Sequence, residues 1–371
     1  MRAMIICGAG ILSGKEMMAL ELGKGLRDAG HAVSYVTSLW GDGRFRSRLE
    51  ELGFPMACVR IGFISATLKL ECLRMTADQL IRVPGLWLDY RRFLGAQAPQ
   101  HIFHTNWHHL LVLWPFLNSN RDWFWLHDVV PDKPHYRKLF VALSRRMRGF
   151  VPVSNAVMAS LLRVGIPEEK IHVIHNGLTN PVPEDKTRAR DWTGVRIGVA
   201  GQVAPWKGQQ DLLEAFAVLG KKYPGIELHL FGDGVPSFVA ELKQRAEVLG
   251  VGHQLVWHGF VRDRAEIYSQ VDICVAPSRA TEALPTVAIE AAFFGLPMIA
   301  TRIGGLPEIV EHGRTGFLFE PESVDELTAR LDELLCSAEL RDVMGKAAWQ
   351  HARMHFGLSR FVSEFEDLAL K

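Results

Sequence analysis

Apolar residues near the start of the chain follow two periodicities. The short apolar runs Met4–Cys7 and Ala32–Thr37 predict buried strands. Between them, apolar positions from Met17 to Leu26 recur at helical spacing, which predicts an amphipathic helix. Gly30 is expected to end this helix, because glycine readily adopts the left-handed conformation. The alternation of strand, helix and strand predicts parallel strands joined by crossover helices.

The same pattern recurs in the second half of the chain. Ile197–Ala200 and Ile226–Phe231 are predicted strands, and Gln209–Gly220 is the predicted helix between them. A chain of 371 residues is long enough for two domains. The repeated pattern therefore predicts an α/β fold with two Rossmann-like domains.

The domain boundaries follow from composition. Proline and charged residues in Thr179–Gly194 are typical of a linker. The predicted domains are residues 1–183 and 190–352, and a last helix, about 353–371, is expected to pack back on the first domain. Ligands of open α/β sheets bind beyond the carboxyl ends of the strands. We expect two such edges to face one interdomain cleft.

Charge is distributed unequally between the two halves. Residues 1–190 carry 25 basic and 16 acidic side chains, whereas the remainder carries 17 and 25. This difference has two interpretations: an ordinary solvated surface, or a first domain that faces an anionic acceptor or membrane. No apolar run is long enough to span a bilayer, and five scattered cysteines are typical of a reducing compartment. We therefore expect a cytoplasmic protein, with the inner face of the membrane as the alternative.

The segment 271–319 contains several candidate functional groups. Val271–Ala276 is a predicted strand, and a loop with Glu282 leads to a helix whose first position fits Pro285. The free N–H groups of its first turn, at Thr286 and Val287, suit a phosphate group. Its second turn carries Glu290 among apolar residues, where a carboxylate without a partner is costly. Taken singly, the two glutamates could also be a helix cap and a solvated side chain.

Two glycine-bearing turns are further candidates for ligand contact. The loop Gly201–Gly208 joins a strand to a helix and carries Lys207, which could place a cation on a diphosphate. Its spacing fits neither a P-loop nor a dinucleotide fingerprint. Gly232 ends the next strand and would let a ligand approach the backbone. Alternatively, these are an exposed lysine and a plain turn.

Histidines suggest two further sites in the first half. His127 follows the predicted strand Trp123–Leu126, where it could hydrogen-bond a sugar hydroxyl or phosphate, although a buried structural role is the alternative. Four other histidines are candidate metal ligands: His101, His104, His108 and His109. With no carboxylate or cysteine nearby in sequence to complete a ligand set, we predict no metal site.

Taken together, these segments resemble the retaining glycosyltransferases of family 4. The resemblance is loose in the first half and close over 198–319. It rests on the order and spacing of nine features: Gly14, His127-Asp128, Val153-Ser154-Asn155, Val173–Gly177, Gly201–Gly208, Glu282, Glu290, Gly304–Glu308 and Gly313–Leu318. The two glutamates, separated by seven residues in a strand–loop–helix setting, are the specific part of this pattern.

The resemblance implies a GT-B fold, a nucleoside-diphosphate-sugar donor and no cofactor or metal. It implies catalytic roles for His127 and Glu282 beside the donor sugar, and a ribose contact for Glu290. The remaining implied donor-binding residues are Gly14, Gln202, Lys207, Gly232, Val261, Thr286 and Val287. Transfer would retain the anomeric configuration, the acceptor hydroxyl attacking from the face that the diphosphate leaves.

One position departs from the family pattern. The family usually has arginine after the first glycine of the Gly201 loop, whereas this chain has Gln202. Glutamine keeps a donor but loses the charge and the bidentate geometry. Arg262 and Arg279 are both candidates to replace that cation.

The implied partners are the donor and a glycan, glycolipid or small-molecule acceptor, with no nucleic acid. Peripheral contact of the first domain with a membrane is a further hypothesis, based on its basic residues and the apolar stretch Phe63–Leu94. Two alternatives stay open: a sugar-nucleotide epimerase of similar architecture, and a catalytically silent sugar-nucleotide-binding protein.

Overall fold

The computed structural model describes residues 1–7, 14–61, 69–180 and 194–370. The chain forms two compact units, of which one is Met1–Gly177 with Leu358–Lys371 and the other is Leu178–Gly357. The predicted boundary between residues 183 and 190, and most of the predicted linker, lie outside the described residues.

The first unit is a parallel six-stranded sheet flanked by helices. The strands are β1 Arg2–Cys7, β2 Ala32–Ser38, β3 Met56–Val59, β4 His101–His104, β5 Asp122–Leu126 and β6 Gly149–Pro152. The helices are α1 Gly14–Asp28, α2 Arg44–Glu51, α3 Leu70–Gln97, α4 Trp107–Val112, α5 Pro134–Ser144, α6 Asn155–Arg163 and, from the end of the chain, α14 Leu358–Leu370. The strand order is β3-β2-β1-β4-β5-β6, so the direction of winding reverses between β1 and β4.

The helix α14 packs on the first sheet through aromatic side chains. The ring of Phe365 lies 5.0 Å from that of Phe103 on β4 and 5.2 Å from that of Trp125 on β5. Gly25 of α1 allows α14 to approach α1 closely, because a Cβ at Gly25 would lie 2.3 Å from Val362 of α14. The end of the chain therefore belongs to the core of the first unit.

The second unit repeats this architecture. Its strands are β7 Arg196–Ala200, β8 Glu227–Phe231, β9 Leu255–Gly259, β10 Ile273–Ala276, β11 Met298–Thr301 and β12 Gly316–Phe319. Its helices are α7 Gln209–Lys222, α8 Pro236–Leu249, α9 Arg264–Tyr268, α10 Thr286–Phe293, α11 Leu306–Ile309, α12 Val324–Cys336 and α13 Ala338–His355. The order β9-β8-β7-β10-β11-β12 matches that of the first sheet, with the reversal between β7 and β10. The predicted α/β fold with two Rossmann-like domains is confirmed.

Several predicted boundaries shift by a few residues. Pro285 is the N-cap of α10 and has an extended backbone, with ψ of 119°, so that Thr286 is the first helical residue. The helix expected over 353–371 is interrupted at Gly357, between α13 and α14. Both differences arise at helix ends, which local periodicity defines least well.

Candidate functional site

The centre of the candidate site in the second unit is an ion pair between two loops. Lys207 Nζ donates to Glu282 Oε2 at 2.5 Å, and Ser278 Oγ donates to Glu282 Oε1. The side chains of Lys207 and Glu282 are 15% and 10% exposed. Their loops follow β7 and β10, the neighbouring strands where the winding reverses. Tertiary structure thus brings together two predicted residues 75 positions apart and adds Ser278, which the sequence analysis missed.

A glycine lets these loops meet. A short 3-10 helix, Pro205–Lys207, ends at Gly208, whose φ is 72°. A Cβ at Gly208 would lie 1.8 Å from the carbonyl oxygen of Pro277, at the end of the β10 strand. Both the left-handed backbone and the close approach require glycine here. Gly208 therefore allows the Lys207 loop to lie directly against the loop that carries Glu282.

Glu290 has two partners. Arg264 Nε lies 3.0 Å from its Oε1, and the Tyr268 hydroxyl donates to its Oε2 at 2.9 Å. Burial raises the pKa of Glu290, while the charge of Arg264 and the Tyr268 hydrogen bond act in the opposite direction. The apolar helix thus carries a carboxylate that is stabilised from α9, an element that the sequence analysis did not connect to it.

The N-terminus of α10 lies between the two glutamates in sequence. Thr286 and Val287 are half-buried, and in the described chain their N–H groups donate to no backbone carbonyl. Such groups, at the positive end of the helix dipole, can receive a phosphate oxygen. The segment that carries Glu282 and Glu290 therefore offers anion-binding groups as well as carboxylates.

A pocket of about 470 Å³ opens at the carboxyl ends of β8 and β9. It is lined by Gly232, Asp233, Gly234, Pro236, Val239, Ala240, Lys243, Trp257, His258 and Gly259. Gly232 also packs on the Lys207 loop, since a Cβ there would lie 1.9 Å from the Gly201 carbonyl oxygen. Lys207 approaches the same loop, with Nζ 4.0 Å from the position of a Cβ on Gly201. The pocket and the ion pair are therefore neighbours within one unit.

The two arginines considered as replacements for the missing loop cation differ. Arg279 forms a bidentate pair with Asp211, at 2.7 Å from Nε to Oδ2 and 2.5 Å from Nη2 to Oδ1. Arg262 is exposed and forms no ion pair with any residue that the structure describes. Gln202 is also exposed, and its carbonyl accepts from the Gln209 side chain. Neighbouring Val261 is half-buried.

The first unit holds the other two predicted site residues. His127 follows β5, and its ring lies 4.4 Å from that of Trp125. Its Nε2 is enclosed and has no hydrogen-bond partner in the described part of the chain. Burial, with a smaller effect of Lys15, holds the pKa of His127 well below its usual range. Gly14 is the exposed first residue of α1. A neutral imidazole and a helix N-terminus thus stand at the carboxyl edge of this sheet.

One of the four other histidines contacts a buried carboxylate. His104 Nε2 lies 2.7 Å from Asp122 Oδ1, with both side chains buried. Because β5 is adjacent to β4 in the sheet, one carboxylate that is distant in sequence, Asp122, lies beside His104. Among the described residues, no group of three or more His, Cys, Asp or Glu side chains is placed to hold a metal ion.

Sequence comparison assigns both halves of the chain. The profile described as Glycosyltransferase Family 4 matches residues 12–179, and the profile described as Glycosyl transferases group 1 matches residues 186–351. The chain belongs to glycosyltransferase family 4. The ion pair, the partnered Glu290 and the pocket all lie in the segment that the second profile matches.

Individual relatives match this family 4 chain over part of their length. The sulfoquinovosyl transferase SQD2 of Arabidopsis thaliana is 34% identical over 38% of this chain and 27% of its own length. A D-inositol 3-phosphate glycosyltransferase of Mycobacterium marinum is 32% identical over 49% of this chain and 41% of its own. The chain thus covers less than half of the length of these curated relatives.

Solved structures show the same fold over the whole chain. The structure of Anabaena Alr3699/HepE in complex with UDP and glucose has a TM-score of 0.77 and 22% identity, and the match covers 100% of both chains. The apo lipopolysaccharide outer core galactosyltransferase WaaB gives a TM-score of 0.73 and 16% identity, over 100% of this chain and 99% of its own. At these identities the likeness shows the fold.

In the described part of the chain, no helix combines the length and apolar character needed to cross a membrane.

Proposed function

We propose that this protein transfers a sugar from a nucleoside-diphosphate sugar to a hydroxyl acceptor, with retention at the anomeric carbon. The observation that carries the proposal is the cluster of Lys207, Glu282 and Ser278 at the switch point of the second sheet of a family 4 chain. A cation beside a carboxylate suits a ligand that joins a diphosphate to a polyhydroxylated ring.

Each group has a distinct role in this proposal. Lys207 and the N–H groups of Thr286 and Val287 stabilise the charge of the leaving diphosphate. Glu282 holds sugar hydroxyls, and Glu290 holds the ribose. His127, kept neutral by burial, accepts or donates a hydrogen bond at the donor sugar, and Gly14 leaves room for the phosphates. These residues belong to both units, and the interdomain cleft stays a prediction.

The reaction breaks the bond between the anomeric carbon and the diphosphate oxygen. The acceptor hydroxyl forms the new bond from the same face, and its proton passes to an oxygen of the departing phosphate. None of the predicted site residues is an evident nucleophile, which supports this front-face route over a covalent intermediate. Catalysis then rests on positioning and on electrostatic stabilisation of the leaving group.

Uridine diphosphate is the first donor nucleotide to test. Solved structures of Alr3699/HepE, which share this fold, are complexes with UDP, with UDP and glucose, and with UDP-glucose. A guanosine donor is the second candidate. For the acceptor, one relative is a D-inositol 3-phosphate glycosyltransferase and one structural neighbour is a lipopolysaccharide outer core galactosyltransferase, which supports a glycolipid or glycan made at the cytoplasmic face of a membrane.

Calorimetry with UDP, GDP and ADP, followed by turnover of the matching sugar nucleotides, tests the function. We expect micromolar binding of one diphosphate and, with the correct acceptor, an α-linked product from an α-linked donor, read by NMR of the anomeric proton. Conversion of the donor to an isomer without acceptor would show an epimerase. Binding without turnover on a broad acceptor panel would support the silent binder.

We also propose that α3 docks on an anionic bilayer. Its side towards the sheet carries the buried Leu86 and Tyr90, whereas another side exposes a stripe of apolar residues. This exposed stripe consists of Leu70, Leu73, Leu80, Ile81 and Leu88, with Ile81 79% exposed. The expected contribution of residues 63–68 to this surface lies outside the described residues.

The basic residues around the exposed stripe favour an anionic lipid surface as its partner. Lys69, Arg74 and Arg91 lie along α3 and make no ion pair within the described ranges. Near an anionic surface each is worth about 1 kcal/mol, which suffices for reversible docking together with shallow insertion of leucine and isoleucine. By contrast, the arginines of α2 pair with acidic neighbours such as Glu50 and Glu51.

Co-sedimentation with vesicles tests this docking. We expect recovery on phosphatidylglycerol vesicles at low salt, little at 1 M salt, and loss of recovery in Ile81→Asn/Leu88→Asn. Val248→Asn on α8, where the valine is 71% exposed, is the matched control. Equal recovery on neutral vesicles, or unchanged recovery of the double variant, would exclude docking through α3.

A further inference from the structure

A series of hydrogen bonds leads from Glu227, at the start of β8, to the pocket. His229 on β8 lies with Nε2 3.2 Å from Glu227 Oε2 and with Nδ1 3.0 Å from Nε2 of His258 on β9. The Phe231 ring stacks on His258 at 4.1 Å and an interplanar angle of 12°, which fixes the plane of that imidazole. His258 itself lines the pocket.

The Glu227 carboxylate, at one end of this series of hydrogen bonds, determines which ring nitrogens of His229 and His258 carry a proton. Glu227, which also pairs with Arg196 Nε at 2.9 Å, can only accept, so that His229 Nε2 carries a proton. In a neutral His229, Nδ1 is then an acceptor, and His258 Nε2 must donate to it. A neutral His258 consequently keeps Nδ1 without a proton.

Burial keeps both rings neutral near pH 7. It lowers the pKa of His229 despite the neighbouring Glu227, and it lowers the pKa of His258, with a further contribution from His229. The other charged groups that act on the pair are Asp272, which raises the pKa of His229, Arg196, which lowers it, and Glu266, which raises the pKa of His258. His258 Nδ1 has no hydrogen-bond partner among the described residues.

We propose that Glu227, His229 and His258 form a relay that presents a hydrogen-bond acceptor, His258 Nδ1, to the nucleobase of the donor, and so selects bases with a protonated ring nitrogen. The inference rests on the proposed function. The pocket adjoins the Gly201 loop and Lys207, which places it next to the proposed diphosphate position. Gly232, Gly234 and Gly259 are part of its lining, and Gly232 and Gly234 pack directly against the Gly201–Gly208 loop.

The nucleobases differ at the ring nitrogen that would face His258 Nδ1. Uracil and guanine carry an N–H at the ring nitrogen of their pairing edge, whereas cytosine and adenine carry a lone pair there. An acceptor on the protein hydrogen-bonds the first class and opposes the second, and a buried polar group without a partner is costly. UDP and CDP form a closely matched pair of probes, since they differ only at this edge.

Calorimetry of the full chain with UDP and CDP tests the relay. We expect UDP to bind about 10-fold or more tightly than CDP at pH 8. The preference should shrink as the pH falls towards 5, where protonated His258 becomes a donor. His258→Phe, which keeps the stacking on Phe231, should reduce the preference to about threefold or less, while the exposed His253→Phe control keeps it.

The variant Glu227→Gln tests whether His229 and His258 act as the proposed relay or only pack against their neighbours. Its amide can donate to His229, and ring-nitrogen chemical shifts in ¹⁵N NMR should then show a changed tautomer of His258 together with a smaller UDP preference. An unchanged UDP:CDP ratio in His258→Phe, or Nδ1-protonated His258 in the native protein at pH 8, would overturn the relay. Absence of binding by every nucleotide would instead count against the proposed function.

Discussion

The two units share one strand order but differ in what stands at the carboxyl ends of their strands. In the second unit these ends carry partnered charges: Lys207 with Glu282, and Glu290 with Arg264. In the first unit, the described residues there include His127, which burial keeps neutral, and His104 at the end of β4, in a half with excess basic residues. The same scaffold therefore supports two different chemistries, because its loops can change without changing the sheet.

We propose that this difference reflects separate binding roles of the two units. A unit with fixed ion pairs and a glycine-lined pocket suits a ligand of defined charge and shape, which we propose to be the nucleotide. We propose that the first unit, with its exposed apolar helix α3 and its excess of basic residues, is the unit that binds the acceptor.

Glycine substitutions should affect the two units unequally. Gly208→Ala places a Cβ 1.8 Å from a backbone oxygen, and we expect a loss of about 3 kcal/mol or more in the free energy of unfolding. Gly30→Ala is the control in the first unit: its φ is 86°, but no atom lies within 4 Å of the added Cβ, so that we expect about 1 kcal/mol. Urea unfolding followed by circular dichroism measures both, and equal losses would contradict the close approach of the two loops.

Charge removal at the second unit should strongly reduce nucleotide-dependent activity. Lys207→Ala and Glu282→Ala should each reduce turnover about 10-fold to 100-fold, because a charge-assisted contact contributes about 1.5–3 kcal/mol. Folding should be retained, which circular dichroism checks, since neither side chain belongs to the apolar core of this unit. Lys221→Ala, at an exposed lysine of α7 outside the pocket, is the matched lysine control. Near-normal turnover of Lys207→Ala would remove this residue from the proposed site.

Acidification should destabilise the first unit through its buried histidines. Burial holds the pKa values of His109 and His127 well below the usual value. The unfolded chain binds protons at these residues below about pH 6.5 while the folded chain does not, so stability is complete above that pH and falls as the pH decreases. Each residue contributes a slope of at most about 1.4 kcal/mol per pH unit.

The variant His109→Leu isolates this effect. We expect a flatter dependence of the unfolding free energy on pH between 6.5 and 5 than in the native protein. His253→Leu, at an exposed histidine of the second unit, should leave the slope unchanged. A slope equal to the native one in His109→Leu would show that this imidazole is protonated in the folded state.

The smallest effect is expected from restoring the cation that the family usually has. Gln202→Arg should tighten nucleoside diphosphate binding about threefold to 10-fold, since Arg279 is held by Asp211 and does not replace it. Gln202→Ala, which removes only a neutral donor, is the control. Unchanged binding of Gln202→Arg in calorimetry would indicate that Arg262 already supplies the charge.

Sequence by itself determined the α/β fold, the duplication and the loops that carry the candidate residues. The periodicities that predict β1, α1 and β2 are local, and the same is true of β7, α7 and β8. The chain positions of Lys207, Glu282 and Glu290 could also be recognised, because glycine, proline and the strand–loop–helix order restrict where such groups stand. Helix ends were less accurate, as Pro285 and Gly357 show.

Tertiary structure alone decided which side chains are partners. Glu290 is paired with Arg264 and Tyr268 from α9, His104 with Asp122 from the adjacent strand, and His258 with His229 across β8 and β9. These contacts depend on strand order and register, which place residues far apart in sequence within hydrogen-bond distance. Local periodicity contains no information about which strand becomes the neighbour, so the electrostatic state of the site could not be predicted from the sequence.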